Sequence, residues 1–348
     1  MSFKRHIAVC GLVLLTVGRV FSQDDDPEKS AVELITPAAE RAIERGLKWL
    51  ADRQHEDGSF GSAAYRGNVA VTGLSGMAFM SGGSTAGRGP YGREVTQCVD
   101  YVLANSQQSG FITAPRSVSY GPMYGHGFAA LFLAECYGMA PRPELRDKLS
   151  RAVELIVNTQ NQDGGWRYQP RRADADISVT VCQVMALRAA RNAGIAVPNK
   201  TIDRCIDYVK RSQNADGGFM YMVGGGESAF ARSAAGLVAL YSAGVYEGPE
   251  IDKGLGYLAQ FRPTKGVVRR ENHYFYGHYY AVQAMWQAGG EHWQQWYPAI
   301  RDELVAAQRK DGGFTSPIGA TPVCSEYDAA MALIVLQMPE NYLPIFQR

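Results

Sequence analysis

Two kinds of apolar pattern alternate along this chain. In residues 38–54, Ala42, Ile43, Leu47 and Leu50 recur at helical spacing, with Arg41, Glu44, Arg45 and Lys48 between them. That pattern predicts an amphipathic helix with one wet face. Asp57-Gly58 ends it, because glycine accepts the left-handed geometry of a helix C-terminus. Residues 68–81 differ: Val69, Ala70, Val71, Gly73, Leu74, Gly76, Met77 and Ala78 run without a charge. A helix apolar on all sides belongs inside a fold. The contrast repeats, with charged stripes in 143–160 and 198–213 and mostly apolar runs in 176–190 and 228–243, where Arg188 and Arg232 are exceptions.

The alternation has a period. Gln54, Gln107, Gln160 and Gln213 are spaced by 53 residues, and Gln260 and Gln308 continue at 47 and 48. Four of them open a Gln-x-x-Asp-Gly unit followed by Phe60, Trp166, Phe219 or Phe314. A repeat near 50 residues is one supersecondary unit copied. Each unit reads as helix, Gly-rich turn, helix. Six charged-striped helices alternating with six apolar ones predict an all-α fold, an α/α toroid of six hairpins over residues 38–348. In such a ring the inner helices start at one mouth, where free backbone N–H groups and a partial positive charge collect.

The segment Arg45-Gly46-Leu47-Lys48-Trp49-Leu50, then Gln54 and Asp57-Gly58-Ser59-Phe60, resembles the QW repeat of squalene and oxidosqualene cyclases. Residues 151–166 and 204–219 repeat it. Over about residues 38–338 the chain resembles the terpenoid cyclase and protein prenyltransferase superfamily, whose fold is an α/α toroid. The resemblance implies that each Gln ties a helix end to the neighbouring hairpin, with the aromatic stacked over it. Asp174-Ala175-Asp176-Ile177 resembles the Asp-x-Asp-Asp of class II cyclases, whose middle acid protonates an alkene or epoxide. Asp174 and Asp176 match, and Ile177 replaces the last acid. The structural alternative is that Asp176 caps the helix starting near Ile177. The zinc motif of prenyltransferase β subunits aligns with Glu227, Ala229 and His278. Its thiolate is missing, so no cofactor is expected.

Tyr-Gly-His occurs twice, at Tyr124-Gly125-His126 and Tyr276-Gly277-His278, 152 residues apart. Three units of a six-unit ring predict that His126 and His278 face each other across the mouth. Asp176, Glu227, Glu326 and Asp328 are expected on the same rim as candidate acids and bases. The plain alternative is a pair of satisfied helix-start histidines, repeated because the unit repeats. Tyr124, Tyr168, Phe230 and Tyr276 concentrate near this end, with Tyr120 and Tyr221. An aromatic-lined cavity suits an isoprenoid, a carbocation or a sugar ring, and side-chain filling of the barrel top is the alternative. Arg167, Arg171, Arg172, Arg269 and Arg270 are either an anion-attracting rim or solvated loop charges.

Composition narrows the partners. The net charge is +1 and no Lys/Arg run stands out, which argues against nucleic acid. Lys4-Arg5-His6, an apolar run from Ile7 to Val17, and Val20-Phe21-Ser22 read as a signal peptide over residues 1–22, with a leader at 23–37. Export to the periplasm or outside is therefore expected, with no transmembrane segment in the mature chain. Cys10 leaves with the signal, so five cysteines remain, expected mainly as buried thiols. Three functions compete: a toroid binding an apolar or isoprenoid-like ligand, a carbohydrate-active hydrolase or lyase, and a non-catalytic interaction toroid. An open, aromatic-lined barrel axis would favour the first, and a plugged axis together with an exposed apolar patch the third.

Overall fold

The computed structural model describes residues 31–115, 117, 121–140, 142–264, 271–315 and 323–347. The expected signal peptide, Tyr120, Arg269 and Arg270 lie outside the described residues, as does the leader up to residue 30. Among the described residues, twelve α-helices alternate between two rings. The outer helices are α1 (Pro37–Ala51), α3 (Gly92–Ala104), α5 (Pro143–Thr159), α7 (Asn199–Arg211), α9 (Pro249–Ala259) and α11 (Gly290–Ala307). The inner helices are α2 (Val69–Ser81), α4 (Pro122–Met139), α6 (Ile177–Asn192), α8 (Phe230–Ala243), α10 (Tyr274–Ala288) and α12 (Ser325–Leu336). Each inner helix packs on the next, and α12 packs back on α2, so the ring closes. Each outer helix packs against the inner helices that flank it, and α1 completes its ring against α11 and α12.

The repeated residues close the seams. Gln160 Nε2 donates to Gly164 O (2.9 Å) in its own turn and to Thr201 O (2.8 Å) at the start of α7. Gln54 reaches Gly58 O and Glu94 O, and Gln213 reaches Gly217 O and Glu250 O, in the same way. Gln308 donates to Gly312 O and to Ala42 O on α1, tying the last unit to the first. Each buried bond of this kind contributes about 1 kcal/mol.

The axis of the inner ring is filled. Phe128 on α4 meets Tyr279 on α10, three units away, with ring centroids 6.2 Å apart in a T-shape. Cys182 Sγ on α6 lies 3.4 Å from Tyr280 Oη on α10. Phe132, Tyr279 and Tyr280 have no exposed surface. At the far mouth the C-terminal tail lies across the ring. Trp286 Nε1 on α10 donates to Phe346 O (2.8 Å), and Ile345 N–H donates to Glu135 Oε2 (3.3 Å) on the opposite helix α4. Cys98, Cys136, Cys182, Cys205 and Cys324 are all free buried thiols. Among the described residues no helix is long and apolar enough to cross a membrane.

Candidate functional site

One repeated contact explains His126. In four units the backbone N–H of the residue ending the turn donates to a side chain on the next inner helix. Phe60 N–H reaches Thr72 Oγ1, Trp166 N–H reaches Thr180 Oγ1 and Phe219 N–H reaches Ser233 Oγ. In the second unit Ile112 N–H reaches His126 Nδ1 at 3.2 Å. Nδ1 therefore accepts, and Nε2–H donates to Ala152 O (3.3 Å) on the outer helix α5. Burial drives its pKa down to about 4, against the opposing Ala152 hydrogen bond, so the ring is neutral. His278 is likewise turned outward, among Tyr274 (4.5 Å), Phe230 (4.9 Å) and Trp296 of α11 (6.1 Å), and burial lowers its pKa to about 3.

The expected facing pair of histidines is thus corrected. Two residues along a helix turn about 200° around its axis, so Tyr and His of Tyr-Gly-His point to opposite faces. The tyrosines face the axis and the histidines face the outer ring. Replacing His126 by Ala is expected to cost about 2–4 kcal/mol, by orphaning the Ile112 N–H and leaving a cavity. His126→Thr should restore part of it, because Thr fills this role in two sister units. Urea unfolding of both variants measures the difference.

Phe230 is corrected as well. It stacks on Phe261 (5.2 Å) and Trp296 (6.4 Å) between the rings and does not line the axis. Glu326 is buried and accepts from Ser62 Oγ (2.8 Å) in the loop before α2. Asp328 is buried 14 residues after Phe314, the spacing that separates Trp166 from Thr180. Glu227 is exposed in the loop before α8. Among the described residues no three His, Cys, Asp or Glu side chains gather as metal ligands.

What remains at the mouth is a site centred on Asp176. Its Oδ1 caps α6 by accepting Val179 N–H (2.9 Å), so the capping reading is correct for one oxygen. The residue is fully buried, and Oδ2 has no hydrogen-bond partner among the described residues. Burial pushes its pKa up to about 6, although the α6 N–H groups, Arg167 and Tyr221 pull it back. Arg167 pairs with Asp174 and lies over the rings of Tyr168 (5.1 Å) and Tyr221 (5.8 Å).

Tyrosines complete the mouth. Tyr168 and Tyr221 share a hydroxyl–hydroxyl hydrogen bond. Tyr124 packs on Tyr168 with ring centroids 6.1 Å apart, and Tyr276 Oη crosses the ring to donate to Ser178 O (2.8 Å). Burial raises the Tyr124 pKa well above the usual phenol value, helped by Asp176. Backbone bonds fix the covering loops: Asp176 N–H to Trp166 O, Met123 N–H to Tyr168 O and Ile177 N–H to Tyr221 O. Arg167, Tyr168, Gln169, Arg171, Ala173 and Asp174 line an open hollow of about 230 Å³ beside Asp176. Tyr221 stands with Tyr168 at the end of the ring where the sequence places it, and the two are 53 residues apart, the interval of the repeat.

Residues 130–273 match the family model of the squalene-hopene cyclase C-terminal domain. A drimenyl diphosphate synthase of Streptomyces showdoensis is 32% identical over 130 residues, 36% of this chain. That match spans only 23% of the relative's own length. The apo type II terpene cyclase MstE from Scytonema superposes with a TM-score of 0.60 at 14% identity, over 88% of this chain and 99% of that one. Cellobiose 2-epimerase from Bacillus thermoamylovorans superposes at 0.64 with 12% identity, over 90% and 99%. At such identities both likenesses show the toroid alone.

Proposed function

We propose that this chain, which its fold and repeats make a member of the terpenoid cyclase superfamily, is an exported protein that binds an isoprenoid-like alkene at the mouth of the ring and protonates it with Asp176. The observation that carries this reading is the second oxygen of a fully buried Asp176, at the position matching the cyclase acid, which makes no hydrogen bond among the described residues and has Arg167 Nε 3.7 Å away. A desolvated carboxyl holds its proton to a higher pH than an exposed one, here up to about pH 6, and below that is available as a general acid. The Oδ2–H proton moves to an alkene carbon, whose π pair forms the new C–H bond. The resulting cation is taken up by a neighbouring double bond, and a later proton loss restores neutrality. The faces of Tyr124, Tyr168 and Tyr221 suit such a cation. Phe128 and Tyr279 fill the axis below, so the ligand is held at the mouth and not along the barrel.

The filled axis also suits an interaction toroid, but that reading needs an exposed apolar patch. Large apolar residues exposed among the described residues are Val32, Tyr246 and Tyr342, on three different segments. The carbohydrate reading calls for a second rim carboxyl or a Tyr/His pair, and His126 is turned to the outer helix, where Nε2 meets Ala152 O. Glu227 is exposed on its loop, and Asp174 is engaged by Arg167.

The test is incubation of the purified chain with geranylgeraniol in D2O, read by mass spectrometry of the prenyl product. Deuterium should enter the product with the wild type and fall by about a hundredfold or more with Asp176→Asn. A wild-type chain that neither retains the alkene in native mass spectrometry nor deuterates it would overturn the reading.

A further inference from the structure

Two complementary buried atoms at the mouth stand within ion-pair range yet stop short of a hydrogen bond. Arg167 Nε and Asp176 Oδ2 each lack a hydrogen-bond partner among the described residues, and they lie only 3.7 Å apart. A donor and an acceptor so placed would normally close the remaining gap, because leaving either unpaired and buried is costly. The Arg167 backbone cannot drift, since Trp166 O and Tyr168 O on either side accept from Asp176 N–H and Met123 N–H. Its side chain is held from the other end. Arg167 Nη1 binds Oδ2 of Asp174, a half-exposed carboxylate two residues before Asp176.

We propose that Asp174 is a positioning residue that draws the Arg167 guanidinium off Asp176, so that Asp176 keeps its proton. This rests on the reading of Asp176 as the proton donor and adds how that site is regulated. The other titratable groups facing Asp176 are Tyr168 and Tyr221 on the covering loops, Tyr124 on α4, Tyr208 on α7, Tyr276 on α10 and Cys182 on α6. Burial raises the pKa of Tyr124, Tyr208, Tyr221 and Tyr276 and pushes the Cys182 thiol up to about 12. Tyr124, Tyr208, Tyr221, Tyr276 and Cys182 bring no charge at neutral pH, which leaves Arg167 and Asp174 as the pair that sets the state of Asp176. A ligand whose own anionic group competes for Arg167 would act on the same balance, and a neutral alkene would not.

The experiment is a 13C NMR titration of the Asp176 carboxyl in the full chain labelled at aspartate, assigned with Asp176→Asn. In Asp174→Asn the guanidinium is released and pairs with Asp176, whose pKa should fall by about 1–2 units. In Asp174→Glu the anchor persists, so the pKa should stay near that of the wild type. Removing the negative charge of Asp174 would lower the Asp176 pKa a little by itself. The double variant Arg167→Gln/Asp174→Asn separates the two effects. If Arg167 carries the effect, Asp174→Asn should shift Asp176 by less than about 0.5 units in the Arg167→Gln background. Equal shifts with and without Arg167, or no shift in Asp174→Asn, would overturn the proposal. Circular dichroism melting of each variant confirms that the titration reports a folded ring. If Asp174→Asn does not fold, Asp174→Ser in both backgrounds gives the same comparison. The titration requires no turnover, so failed deuteration with these shifts intact removes the proton-donor reading alone.

Discussion

Replacing Glu135 by Gln is expected to raise the melting temperature at pH 9 and to leave it nearly unchanged at pH 4. Glu135 sits near the C-terminal end of α4, fully enclosed under the tail, with Ile345 N–H donating to its Oε2. Burial pushes its pKa up to about 8, more than the Ile345 hydrogen bond brings it down. The folded chain therefore holds a proton that the unfolded chain releases above about pH 4.3. The sign follows directly. Where the folded state binds the extra proton, stability falls as pH rises, from the unfolded pKa up to the folded one. Each pH unit in that window costs about 1.4 kcal/mol, so the total by pH 9 is on the order of 3–5 kcal/mol. Gln keeps an acceptor for Ile345 N–H and cannot ionise. Its advantage at pH 9 should appear as roughly 5–10 °C in a thermal melt. Parallel pH profiles for the two chains would show that Glu135 does not titrate in this window. Asp176, with its pKa raised to about 6, adds a slope of the same sign at lower pH in both chains, and so cancels in the comparison.

The seams of the ring were legible in the sequence, and its axis was not. Gln, Asp-Gly and the following aromatic act within one turn, and local turn chemistry copies whole from unit to unit. That is why ties such as Gln160 to Thr201, which the resemblance to the QW repeat implied, recur from unit to unit. The inner helices carry no such mark. α4, α8 and α10 are buried around most of their circumference and have no single wet stripe, so nothing in their pattern says which face meets the axis and which meets the outer ring. His126, His278 and Phe230 were placed on the wrong face for this reason. The common spacing of 14 residues from Trp166 to Thr180 and from Ile112 to His126 would have corrected the first histidine. Asp176 was legible as a cap: one oxygen caps α6, and the other makes no hydrogen bond among the described residues. The filled axis came from contacts between α4 and α10, partners about 150 residues apart that no local pattern relates.

Gly164→Ala is expected to destabilise the chain by about 3–5 kcal/mol, whereas Gly194→Ala should cost only about 1 kcal/mol. Both glycines have positive φ, +101° and +82°, so both substitutions pay for a left-handed backbone. They differ in what the new methyl meets. A Cβ at Gly164 would stand 2.0 Å from Arg204 O on α7, and at Gly194 it would meet nothing within 4 Å. A backbone carbonyl inside a helix cannot swing aside, so the turn at Gly164 has to lift off α7. Lifting it breaks the bonds from Gln160 Nε2 to Gly164 O and Thr201 O, which hold the third unit to the fourth. Two buried bonds at about 1 kcal/mol each, added to the strain, account for the larger value. Urea midpoints at constant m-value give both numbers. Coupling supplies the sharper check. If the clash acts through the seam, Gln160→Ala should cost markedly less in the Gly164→Ala background than alone. Strict additivity would mean that strain, and not the opening of the ring, carries the loss.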